Sequence, residues 1–80
     1  MITSEQIRAA RALIRWSAVD LADKSGIGVA TIRRIELMDG LPAANTRTLS
    51  AIKSTFELSG IEFVGEPDKN PGVRLITQRD

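Results

Sequence analysis

The sequence predicts a mainly α fold: a four-helix domain followed by a small C-terminal β-hairpin. Three observations carry that prediction. Apolar residues recur at helical spacing as far as residue 59. Capping residues and glycines cut that run into four pieces. After Gly60 the pattern changes to two short branched or aromatic runs around a turn-rich stretch. Residues 1–80 read as one small domain, with a helical core over 3–60 and a hairpin over 61–77.

The first helix is expected over residues 3–15. Thr3 and Gln6 have capping-box spacing. Ile7, Ala10, Leu13 and Ile14 form its apolar stripe, and Arg8, Arg11 and Arg15 lie beside it, Arg8 and Arg15 as a solvated face. Trp16, the only tryptophan, sits at the next junction, where it packs one helix end on another. Ser17 and Asp20 form a second capping box and start a helix at about Ala18. Gly26 ends it, because glycine takes the left-handed conformation of a helix stop without a Cβ clash.

Gly28 is an acceptable cap for a third helix over 29–37. Ile32 and Ile35 fall on its inner side, and Val29, Ala30, Arg33, Arg34 and Leu37 on the outer side. Met38 to Pro42 read as a loop. Asn45 caps a fourth helix over 46–59, with Leu49, Ile52, Phe56 and Leu58 inward and Gly60 as its stop. Residues 61–64 and 73–76 read as strands joined by a loop over 65–72, and residues 78–80 as frayed. A lone hairpin is marginal in water, so this one must lie on the helices or pair with another chain.

Composition narrows the function. The absence of cysteine removes disulfides and thiolate metal sites. The absence of histidine removes the usual general base and the commonest metal ligand. Ser4 and Ser54 therefore have no obvious activating partner, and an enzyme is not expected. Glu62, Glu66 and Asp68 do not follow a calcium-loop pattern, so no metal or other cofactor is expected. No membrane-length apolar run or secretory signal is visible, which makes the cytoplasm the expected location. Net charge is only +1, with six basic and five acidic groups in residues 1–40. A nucleic-acid binder of this composition must gather its arginines on one face.

Residues 18–37 meet the demands of a DNA-reading helix-turn-helix. Ala22 is small where two helices cross, Gly26 suits the turn, and Ile32 and Ile35 anchor the second helix from inside. Helix N-termini offer free N–H groups and a favourable dipole to phosphate. Ser17, Asn45, Thr46 and Arg47 are placed for that role, with Lys24 a further phosphate candidate. Ser17 and Asn45 can equally serve as caps alone.

The stretch Ile-Arg-Ala-Ala-Arg-Ala-Leu-Ile-Arg-Trp-Ser, followed by Leu-Ala and by Val-Ala-Thr-Ile-Arg-Arg-Ile-Glu, resembles the phage-repressor-like helix-turn-helix regulators. These are the xenobiotic-response-element type, or XRE family, of bacteria and phages. The resemblance spans about residues 3–60. The tail, with Gly-Ile-Glu-Phe and Pro-Gly-Val-Arg-Leu, looks like a short subgroup ending in a hairpin.

The resemblance implies a transcriptional regulator that binds operator DNA as a homodimer. It implies base-reading positions at Val29, Ala30, Arg33 and Arg34, and a structural ion pair between Arg11 and Glu36. Arginine can hold guanine bidentately, and Val29 and Ala30 can pack on thymine methyls. Arg34 is the better base reader, since Arg33 lies closer in angle to Glu36; the alternative for both is a solvated face or pairing with Glu36 or Asp39. Where the family usually has glutamine at the start of the second helix, this chain has Ala18, followed by Val19; Ser25 and Gly28 also depart from the usual pattern. Backbone anchoring is therefore expected to shift to Asn45, Thr46 and Arg47.

A homodimer on a pseudo-palindrome would place half-sites ~10 bp apart. The hairpin, through Ile61, Phe63, Val73 and Leu75, is the expected dimer surface. Two other functions stay open. The chain could be an antitoxin-type DNA binder whose hairpin holds a protein partner such as a toxin, or a pure protein-interaction domain.

Overall fold

Thr3 opens the first helix as its spacing predicts. In the computed structural model, which describes residues 1–76, its side chain accepts from the Gln6 N–H while the Gln6 side chain accepts from the Thr3 N–H, and α1 (Ser4–Ile14) follows. Arg15 then turns the chain in the left-handed region, at φ 59°, a conformation that a non-glycine residue adopts at some cost. Ser17 and Asp20 repeat the capping box at the start of α2 (Ala18–Ser25). Gly26, at φ 75°, stops it. Three residues later begins α3 (Val29–Glu36), whose Gly28 cap contributes no side-chain bond. Asn45 caps α4 (Thr46–Leu58) by accepting from the Thr48 N–H.

The chain closes with β1 (Ile61–Glu66) and β2 (Lys69–Leu75), paired antiparallel from Ile61 opposite Leu75 to Glu66 opposite Lys69. The expected loop over 65–72 is therefore only the turn at Pro67 and Asp68. Gly65 makes the difference. It sits at φ 76° in the irregularity between Val64 and Glu66, and a Cβ there would lie 2.0 Å from the Asn70 carbonyl oxygen. This is a glycine bulge that lets both strands continue to a tight turn. Pro71 fits within β2 because a two-stranded sheet leaves each strand one open edge, where no N–H is required. Thr77, the expected end of the hairpin, and residues 78–80 lie outside the described residues.

One cluster joins the four helices and β1, with Val73 of β2 packed against it: Ile2, Ile7, Ala10, Leu21, Ile32, Ile35, Leu49, Ile52, Phe56 and Ile61. Phe56 lies between the aromatics, stacked on Trp16 at 5.5 Å and edge-on to Phe63 at 5.9 Å. Leu13 and Leu58 depart from expectation and face outward. At ~100° per residue Leu58 stands about 180° from Leu49, and Leu13 is turned well away from Ile7 and Ile14.

The hairpin lies on its own helices. Ile61 is 2% exposed, and Phe63 and Val73 pack half-buried against the cluster. The buried Gln6 amide donates to the carbonyls of both Val64 and Gly72, fastening both strands to α1. Most of the expected dimer surface is therefore turned toward the chain's own helices. Ile61, Phe63 and Val73 stabilise the monomer's own core, leaving Leu75 of that set in the open.

Candidate nucleic-acid interface

The site is built around α3. Ile32 and Ile35 have no exposed surface, so the helix is pinned along its inner side. Its C-terminal end is held by a polar stripe on α1 at positions 4, 8 and 11. The Ser4 hydroxyl donates to the Ile35 carbonyl at 2.8 Å. Arg8 donates to the carbonyls of Glu36 and Met38. Arg11 grips the Glu36 carboxylate with Nε and Nη2, both at 2.7 Å, and donates Nη1 to the Trp16 carbonyl. Glu36 is only 9% exposed, and its hydrogen bonds to Arg11 raise the arginine's pKa above its ordinary range.

The stripe follows from the residues. Spacings of four and three put Ser4, Arg8 and Arg11 on one face of a helix. Guanidinium groups suit the last turn of α3, where carbonyls lack partners and the dipole is negative. From the sequence alone Arg8 belongs to a solvated face and Ser4 has no visible role in holding α3. The available signal was the polar line beside the apolar one, and what it touches depends on where α3 packs. Next to it, Glu5 accepts from the Gly40 N–H while the Gly40 carbonyl accepts from the Ser4 N–H, so α1 also holds the loop after α3. The Glu5 carboxyl is held below its ordinary pKa by its own backbone N–H first and that of Gly40 second.

The outer side of α3 carries exposed Ala30, Arg33 and Arg34. Leu37, just past the helix, is 86% exposed. Val29 is half-buried rather than fully outward, because it lies about 70° from the core direction of the helix. Arg34 donates to the Ala43 carbonyl at 3.2 Å, which carries it toward the loop ahead of α4. Arg33 lines a cleft with Arg8, Arg11, Ala18, Glu36 and Leu37. The pairing of Arg33 or Arg34 with Glu36 or Asp39 does not occur among the described residues, where the ion pairs are Arg8–Glu5, Arg11–Glu36 and Arg74–Glu62.

The expected phosphate residues separate into two groups. At the start of α4, Asn45 and Arg47 are exposed, and the first turn carries no acid. At the start of α2, Ser17 is committed to its box with Asp20, whose carboxylate occupies the same turn. The Ser17 N–H, and after it the Ser17 hydroxyl, hold the Asp20 pKa below the usual range. Lys24 stands at the other end of α2 with its ammonium 5.4 Å from the Trp16 ring centroid. Thr46 borders a cleft with Met1, Ile2 and Lys53.

Among the described residues no helix is long and apolar enough to cross a membrane, and no group of three or more His, Cys, Asp or Glu side chains could hold a metal ion. No protein-family model and no curated protein sequence matches the chain.

Proposed function

We propose that the chain is a cytoplasmic, non-enzymatic transcriptional regulator that binds double-stranded DNA sequence-specifically, with α3 in the major groove. The observation that carries this reading is the contrast between the two sides of α3. Its inner side and C-terminal end are immobilised by Ile32, Ile35 and the Ser4–Arg8–Arg11 stripe. Its outer side presents two adjacent, exposed arginines with no acid within ion-pair distance among the described residues. A rigid helix with outward guanidinium groups suits base and phosphate contacts. The resemblance to phage-repressor-like regulators points the same way. The start of α4, with Asn45 and Arg47 and no acid, is the backbone anchor of this reading.

The experiment is selection from a random duplex library, with affinity for the winner followed against salt. We expect a pseudo-palindromic winner and an affinity that falls steeply as salt rises. Binding to no duplex, or binding without sequence preference, rejects the proposal.

The reading includes a homodimer, and one observation favours a surface for it, or for a partner protein in an antitoxin-type role. Leu58 is 90% exposed and borders a cleft with Glu57, Ser59, Gly60, Ile61 and Ile76. Leu75 and Ile76, at the end of the hairpin, are also exposed.

A further inference from the structure

Arg33 and Arg34 are neighbours in sequence but lean to opposite sides of α3. Ile32, Ile35 and Glu36 set the buried direction. At ~100° per residue the outward crest runs close to Ala30, with Arg34 about 30° to one side and Arg33 about 70° to the other. The contacts follow those angles. Arg34 reaches the Ala43 carbonyl on the α4 side. Arg33 lies in the cleft on the α1 and α2 side, beside Ala18. The other two arginines of that cleft are engaged, Arg8 on the carbonyls at the end of α3 and Arg11 on Glu36. Arg33 forms no hydrogen bond or ion pair of this kind with the described residues.

Resting on the reading of α3 as the groove helix, we propose that the pair divides the work: Arg33 contacts a backbone phosphate and Arg34 reads a base. The physical reason is width. The major groove is about 12 Å across and a helix with its side chains fills about 10–12 Å. A side chain near the crest meets base edges, whereas one leaning to the flank meets the phosphate wall. Arg34 keeps further N–H donors after its bond to Ala43, enough for a bidentate contact to guanine. Arg33 supplies charge on the flank where Ala18 and Val19 offer no polar side chain.

The test uses the full chain, the duplex selected by the wild type, and single-base variants of that duplex over a salt series. Arg33→Ala should weaken binding to all these duplexes by the same factor and make the log–log salt slope shallower by about 0.9. Arg33→Lys should restore the slope, since a phosphate needs a charge and not a planar fork. Arg34→Ala should remove roughly 5- to 150-fold of discrimination at one base position, and Arg34→Lys should not recover it fully. Circular dichroism melts check that each variant is folded; Arg33 is exposed and should leave the melt unchanged. Loss of preference at a single position in Arg33→Ala, or an unchanged salt slope, overturns the division while leaving DNA reading intact. A wild type that binds no duplex overturns both.

Discussion

Glu36 joins the two sides of α3. It follows two solvent-facing arginines in the sequence, yet its carboxylate is turned inward and held bidentately by Arg11. Truncating one partner of such a pair leaves a poorly solvated charge, while the intact pair adds little beyond its desolvation cost. Glu36→Ala should therefore cost about 2–3 kcal/mol, reduced from the fully buried case because Arg11 is partly exposed. Urea titration measures it, and a change within about 0.5 kcal/mol would show that the pair does not hold the helix. Two exposed carboxylates make a different prediction. Glu5 and Asp20 both have folded-state pKa values depressed by N–H donors. Their contribution is present above the unfolded values of about 4 and is lost as pH falls through the folded ones. Stability should therefore decline on acidification below about pH 4. Glu5→Gln with Asp20→Asn should flatten that acid limb in melts across pH, and an acid limb identical to wild type would count against it.

At the scale of elements, one buried amide fastens the hairpin beside its apolar contacts. Gln6 accepts from Thr3 and donates to Val64 and Gly72, so it caps α1 and fastens both strands at once. Gln6→Glu exchanges two donated hydrogen bonds for a carboxylate facing two carbonyls. Its cost should be about 2–4 kcal/mol, the range for an unsatisfied buried group that can carry charge. Amide exchange should accelerate first in β1 and β2; uniform acceleration over all elements would mean the amide does not act through the hairpin. The caps at Thr3, Ser17 and Asn45 were legible because they depend on residues three apart. The second role of Gln6 was not, because its strand partners lie 58 and 66 residues away. The same limit hid the hairpin's true length, since the Gly65 bulge is recognisable only once Asn70 is opposite it.

For the whole molecule, the packing of the hairpin decides where a second subunit could sit. The helices cover its inner face, so the exposed apolar side chains lie at its end, in Leu75 and Ile76, beside Leu58 at the end of α4. If this is the dimer surface, Leu58→Glu should raise the dimer dissociation constant by tenfold or more, because it places a charge in a desolvated contact. The monomer's melting temperature should not change, since Leu58 is almost fully exposed. Analytical ultracentrifugation with and without the selected duplex measures it; an unchanged dissociation constant would move the interface elsewhere, and a wild type that stays monomeric on the duplex would remove it.

The sequence by itself determined the four helices, their caps, the two strands and the arginines on the outer side of α3. Those features rest on spacings of two to four residues and on conformations that one residue can impose. Tertiary structure alone decided that Arg8 and Ser4 hold the end of α3, that Arg33 and Arg34 lean toward different neighbours, and that Ile61, Phe63 and Val73 serve the chain's own core. Periodicity tells which side of a helix is buried, but the group that a polar side chain reaches depends on how distant elements pack.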